Sequence, residues 1–288
     1  MARPITSTAE KSKRTWAGFA WRIVRVPSAV YLGVCLMLMY LENSLTYVPT
    51  KYPAGNWQPT SIRVEDAEFT SADGTRLHGW YSEVPNAQAV VLFCHGNAGN
   101  ISHRDDVIAV LKRMSVTVLM FDYRGYGKSE GSPHEAGVLA DARAARKWLA
   151  ERAKVAEQDI VLMGESIGGG IAVDLAAKDG ARGLILEDTF TSLPDTAAYH
   201  YPWLPVRLLM RGRLNSLAII KQYQGPLLMC HGDADTIVPF RFGQQLFAAA
   251  NEPKEFLVHP GANHNDERST EFLNAVARFI QALPRIPD

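Results

Sequence analysis

The chain has 288 residues, 47% of them hydrophobic and 21% charged, and its 30 Lys+Arg balance its 30 Asp+Glu to a formal net charge of zero. That length suits one large-cored enzyme domain, and without the basic stripe of a nucleic-acid binder no nucleic-acid partner is expected. Three cysteines form no even disulfide framework, and no C-x-x-C or H-E-x-x-H spacing marks a metal site; Cys94 and Cys230 fall inside apolar runs as small core residues.

Residues 1–25 read as a basic, disordered tail. Val26 to Leu41 is a run of sixteen residues without a charge, and Leu45 extends its apolar character past Glu42. At about 1.5 Å per residue the run reaches ~24 Å against a hydrocarbon core of ~30 Å. Trp21 and Arg25 on one side, and Glu42 and Tyr47 on the other, can make up the deficit. Residues 26–45 are therefore expected to form a membrane anchor helix. The competing readings are a cleaved signal peptide, for which no small-x-small site precedes Glu42, and a buried core helix. Lys11, Lys13, Arg14, Arg22 and Arg25 all precede the span, which predicts a cytoplasmic N-terminus and a catalytic domain on the far side. A linker is expected over 46–59.

The remainder, 60–284, reads as one α/β domain. It opens with an antiparallel pair, Ile62 to Thr70 and Arg76 to Ser82, turned by Ala72-Asp73-Gly74. Strands near 89–94, 116–121, 160–164, 183–187, 226–230 and 255–259 then alternate with helices near 103–113, 134–154, 167–178, 240–250 and 267–283. Such alternation predicts a mostly parallel eight-stranded sheet with helices on both faces.

Gly164-Glu165-Ser166-Ile167-Gly168 sits between an apolar strand run and a helical run. A G-x-S-x-G on a strand-turn-helix junction is the nucleophile elbow of an α/β hydrolase, where small residues permit a tight turn that pushes the serine hydroxyl clear of the sheet. The alternative is a Gly-rich turn cradling a phosphate at a helix N-terminus. Partners decide between the two. They follow in the order serine, acid, histidine, with Asp235 after the run Pro226 to Cys230 and His264 after the run Glu255 to His259. Both lie just past strand C-termini, where open α/β sheets carry their sites. Ser166 is the candidate nucleophile, His264 its base, and Asp235 the group that orients the imidazole, with Asp188 and Asp233 competing for that last role. His231 is assigned to local hydrogen bonding. The oxyanion donors are expected from the backbone of Ile167 and from Asn97, in the loop after the strand Val90 to Cys94, each worth about 3–4 kcal/mol.

Cys94-His95-Gly96-Asn97-Ala98-Gly99-Asn100, Phe121-Asp122-Tyr123-Arg124-Gly125-Tyr126-Gly127-Lys128-Ser129, Gly164 to Gly169 and His231 to Pro239 together resemble the membrane-anchored α/β-hydrolase-domain family. That family includes serine lipid hydrolases and protein depalmitoylases and is similar to the serine aminopeptidase superfamily. The resemblance covers about residues 40 to 284 and implies an esterase or thioesterase acting on acyl substrates, lipid among them, without a cofactor. Alternatives are a peptidase of the same fold and a catalytically silent scaffold. Arg124 is expected to pair with a carboxylate or loop carbonyls as scaffolding. Residues 189–224 are longer than a normal βα connection and are expected to form a cap, with Tyr199, Trp203 and Leu208 lining an acyl site; simple packing of the crossover on the sheet is the competing reading.

Overall fold

The computed structural model describes the backbone of residues 8–284 and the side chains of residues 21–284. The chain divides between Glu42 and Asn43 into two compact units. Helix α1 runs Thr8–Thr46 with Pro27 inside it. It is longer than the expected 26–45 span, and the stretch expected to be a disordered tail is helical from Thr8 onward. Ala, Lys and Arg in that stretch are strong helix formers, and they carry the helix back past the proline. Residues 1–7 of that expected tail lie outside the described residues.

The segment expected as a linker, 46–59, is hydrogen-bonded along part of its length. Its backbone is stitched into the second unit, with the Thr50 N–H donating to Gly99 O at 3.1 Å, Tyr52 N–H to Gly127 O at 2.9 Å and Gly127 N–H back to Thr50 O at 2.9 Å. These bonds satisfy the strand-like backbone that a free linker would leave to water.

Eight strands follow: β1 Glu65–Thr70, β2 Arg76–Ser82, β3 Ala89–Cys94, β4 Val116–Asp122, β5 Val161–Glu165, β6 Gly183–Glu187, β7 Leu227–Gly232 and β8 Lys254–His259. They form one sheet in the order β1-β2-β4-β3-β5-β6-β7-β8. β2 pairs antiparallel with β1 and β4, and every pairing from β4 to β8 is parallel. The mostly parallel eight-stranded sheet expected from the sequence is what forms. β3 and β4 are buried at every position, as strands covered on both faces must be. Period-two alternation splits the core, so that Val90, Leu92 and Cys94 join one apolar layer while Ala89, Val91 and Phe93 join the other.

Helices α2 Asp105–Arg113, α3 Glu135–Ala153, α4 Ile167–Asp179, α8 Phe240–Ala249 and α9 Thr270–Ala282 alternate with these strands. The segment between β6 and β7 folds as three short helices, α5 Leu193–His200, α6 Val206–Leu209 and α7 Ser216–Ile219. Much of its apolar content is spent as core, since Leu204, Val206, Leu214 and Ile220 are buried.

Arg124 follows β4 and is buried. Its Nη2 reaches Asp141 Oδ1 at 2.7 Å, its backbone N–H donates to Asp141 Oδ2 at 2.9 Å, and Nη1 meets Asp73 at 2.7 Å. Because Asp141 has no solvent exposure, Arg124→Ala should lower stability by about 3–5 kcal/mol by leaving a buried carboxylate without its cation. Urea unfolding measures this; a loss below ~1 kcal/mol would mean that the pair behaves as a surface ion pair.

Candidate active site

Ser166 sits between β5 and α4 at φ +53° and ψ −117°, a region that a side-chain-bearing residue enters only at a cost of order 1–3 kcal/mol. Neighbouring strands hold it there: its N–H donates to Glu187 O at 2.9 Å and its carbonyl accepts from Thr189 Oγ1 at 2.8 Å. A methyl group on Gly168 would run into the Cys94 carbonyl and come within 2.6 Å of His95 O, so only glycine lets α4 start this close to the end of β3.

The Ser166 hydroxyl lies 2.9 Å from His264 Nε2, and His264 Nδ1 lies 2.6 Å from Asp235 Oδ2. The other oxygen of Asp235, Oδ1, accepts the N–H groups of Ile237 and Val238, both at 2.8 Å, which fixes the carboxylate by the turn that follows it. Burial pushes the Asp235 carboxyl up, but hydrogen bonds from His231 and His264 and the charge of His264 outweigh it and hold the group well below the usual range. Burial pulls His264 down, and the hydrogen bond and charge of Asp235, with the charges of Asp188 and Glu165, reverse this and leave its basicity raised. A hydroxyl, an imidazole and a carboxylate in such a chain can move a proton from the serine to the imidazole while an adjacent carbonyl is attacked.

A family model described as serine aminopeptidase, S33, matches residues 85–215. Over 263 residues the chain is 37% identical to the uncharacterized protein Rv2307c of Mycobacterium tuberculosis, covering 90% of this chain and 94% of that protein. It is 32% identical over 266 residues to the alpha/beta hydrolase domain-containing protein WAV2 of Arabidopsis thaliana, covering 82% of this chain and 85% of the relative. The chain belongs to the α/β-hydrolase-domain family. In fold it matches an esterase of Pyrococcus furiosus with a TM-score of 0.68 at 24% identity, covering 83% of this chain and 98% of the esterase.

Within this α/β hydrolase, the competitors for the acid role are placed differently. Asp233 Oδ1 accepts the Gly261 N–H at 2.6 Å and so braces the turn after β8. Asp188, the first residue after β6, lies with Asp235 and His264 in a group in which one polar atom from each is within 4.8 Å of the others. That trio could offer ligands to a cation, but both imidazole nitrogens already have partners, so a metal would have to break the Asp235–His264 contact. His231 is local, with Nε2 donating to Val238 O at 2.9 Å and 3.3 Å from Asp235 Oδ2. Burial pushes the Cys94 and Cys230 thiols up to about 12, which makes both poor nucleophiles.

The Ile167 N–H is at the first position of α4, among the helix N–H groups with no acceptor inside the helix. The side chain of Asn97 is turned to the segment before β1 and to Tyr126: Nδ2 donates to Thr46 O at 2.6 Å, and Oδ1 accepts from Tyr126 Oη at 2.8 Å and Val48 N at 3.1 Å. Any oxyanion role of Asn97 therefore falls to its backbone N–H, whose loop these three bonds hold.

Tyr199, Trp203 and Leu208, expected to line an acyl site, fall outside the cavity that includes His264. The cavity that includes His264 has a volume of 680 Å³ and a mixed lining, with the apolar Val107, Leu111, Met163 and Leu273 beside the charged Arg104, Glu165, Glu187, Asp188 and Arg268. Trp203 and Leu208 do not line it; they are 61% and 83% exposed. Tyr199 borders a separate hollow of 440 Å³ with Asp195, Pro202, Arg241 and Phe242. The segment's apolar residues go partly into packing, while Tyr199 meets Phe242 of α8 at 6.5 Å and His200 Nε2 bonds Ile237 O, in the loop before α8, at 2.8 Å.

Two features escaped the sequence reading. Asn263 Oδ1 accepts from Thr236 N and Oγ1, each at 3.0 Å, and from His264 N at 2.8 Å, joining the acid loop to the histidine loop. Arg268, four residues after His264, bonds Glu187 at 2.8 Å and Glu165 at 2.9 Å, which ties the same loop to the ends of β6 and β5. The only hint was Glu165 in the variable position of the elbow.

With His264 as base, kcat/KM must fall as pH drops and the imidazole is protonated. Since its basicity is raised, the acid limb should lie above the usual histidine value. A pH profile on a small ester reads this directly, and a limb below that value would show that burial outweighs Asp235.

Proposed function

We propose that the protein is a serine hydrolase that cleaves acyl esters or thioesters through an acyl-enzyme on Ser166. The hydrogen-bonded run Ser166–His264–Asp235, with distances of 2.9 and 2.6 Å, carries this reading. His264 takes the serine proton during attack and returns it to the leaving alcohol or thiol. Asp235 keeps the proton of the ring on Nδ1 and stabilises the imidazolium. The N–H groups of Ile167 and Asn97 receive the negative charge on the former carbonyl oxygen. A second acyl-transfer half-reaction, with water in place of the alcohol, frees the enzyme. A silent scaffold would have no need to hold Ser166 at φ +53° with its partners in register.

A peptidase of the same fold is the second reading. It is favoured by the description of the matching family model and by the carboxylates that several strand ends bring to the His264 cavity, which suit a substrate amine. Arg268 already neutralises two of them, Glu165 and Glu187, so the ester reading is preferred.

We also propose that α1 anchors the protein. Trp21–Thr46, 26 residues, is long and apolar enough to cross a membrane, and the basic residues ahead of it favour a cytoplasmic N-terminus with the catalytic domain on the opposite side.

Ser166→Ala should lower turnover of 4-nitrophenyl acyl esters by on the order of 10⁴-fold or more while folding normally. Retention of a tenth of wild-type activity would remove Ser166 as nucleophile. Comparable rates on amino-acid 4-nitroanilides would move the assignment to the peptidase. For the anchor, the full chain should stay in the membrane pellet through alkaline carbonate, and protease added at the cytoplasmic face should spare the catalytic domain. A full chain that is soluble without detergent, or a catalytic domain cut from the cytoplasmic face, would overturn the span or its orientation respectively.

A further inference from the structure

His264 is flanked by carboxylates from two successive strand ends. Asp235 comes from the loop after β7 and Asp188 from the first position after β6, and one polar atom from each of the three groups lies within 4.8 Å of the other two. The placement of Asp188 is built in. Its N–H donates to Cys230 O at 3.0 Å, its Oδ1 accepts the Gly232 N–H at 2.9 Å, and its backbone is at φ +47°. That conformation is costly for most side chains and tolerated by aspartate.

Two carboxylates this close repel, and burial together with the charge of Asp235 raises the Asp188 carboxyl. The arrangement becomes favourable when a positive charge forms between them, and His264 is positioned to supply it. The other charged groups at this corner are mostly paired with one another. Glu165 and Glu187, from β5 and β6, share Arg268. His231 faces Asp235 from β7 at 3.3 Å. Asp266 and Glu267 of the histidine's own loop line the same cavity, with Arg104, His103 and Asp106 across it, Asp106 lying 3.9 Å from Arg268.

We propose that Asp188 is a second positioning carboxylate for His264, supporting the imidazolium beside Asp235 and partly replacing Asp235 when that group is lost. The inference rests on the serine-hydrolase reading of Ser166 and His264. It gives Asp188, left over from the search for the acid, a role that acts through the histidine.

The test compares wild type, Asp188→Asn, Asp235→Asn and the double variant by kcat/KM against pH on a 4-nitrophenyl ester, with Ser166→Ala as the floor. Asparagine keeps the acceptor for Gly232 and tolerates positive φ, so it removes the charge and little else. Asp188→Asn should lose about three-fold at the plateau and move the acid limb to lower pH, because one negative charge that raised His264 is gone. Asp235→Asn should lose about 10²–10³-fold rather than the ~10⁴-fold of a site with a single acid. The double variant should fall at least another ~10-fold toward the floor. Asp188→Gly, at ease at φ +47°, should reproduce the limb shift if the asparagine variant folds poorly. An unmoved acid limb in both Asp188 variants, or a double variant equal to Asp235→Asn, would overturn the proposal. If Ser166→Ala matches wild type, the serine-hydrolase reading has failed, and this inference goes with it.

Discussion

The close approach of α4 to the end of β3 is the constraint from which the site follows. No side chain fits at Gly168 between the helix and the carbonyls of Cys94 and His95, so the chain after Glu165 must turn within one residue. That turn drives Ser166 to φ +53°, lifts its hydroxyl off the sheet and starts a helix whose first N–H groups face the same point. The loop after β3 arrives there by the same contact. A larger residue at 168 would separate the two backbones that are proposed to share the oxyanion.

Around that turn, polar contacts join the loops after β5, β6, β7 and β8. Asn263 joins the loops carrying Asp235 and His264, and Arg268 joins the histidine loop to the strand ends on which Ser166 sits. Arg268 is partly buried between two carboxylates, and the pull of Glu187 and Glu165 outweighs that burial and keeps it firmly charged. Glu187, in turn, is pushed up by its burial despite the cation. Such a cluster gives orientation more than net stability, because desolvation consumes most of the Coulomb gain. Orientation is what a 2.9 Å hydroxyl–imidazole contact between loops 98 residues apart requires.

Most of the sheet was legible in the sequence because its signals are local. Apolar runs bounded by Gly, Pro and Asp placed the strands close to where they form, and the elbow, Asp235 and His264 each sit at a strand end that their own neighbours mark. What was not legible depends on which strands are adjacent. The sheet order puts β6 between β5 and β7, and only that neighbourhood brings Asp188 to His264 or Arg268 to Glu165 and Glu187. The cap shows the same limit from the other side. Its aromatic and aliphatic residues are conspicuous in the sequence, yet burial of Leu204, Val206, Leu214 and Ile220 and exposure of Trp203 and Leu208 are decided by the helices they meet. Likewise, nothing local in 46–59 announces that its backbone will be bonded to Gly99 and Gly127.

The central claim is that Ser166 becomes covalently acylated with His264 as its base. Incubation with a fluorophosphonate, followed by peptide mapping of the adduct by mass spectrometry, tests this most directly. One phosphonyl group should be found per chain, on the peptide containing Ser166, formed more slowly as pH falls through the His264 limb and absent from Ser166→Ala. An adduct on another residue, or none on an enzyme that still turns over esters, would contradict the account.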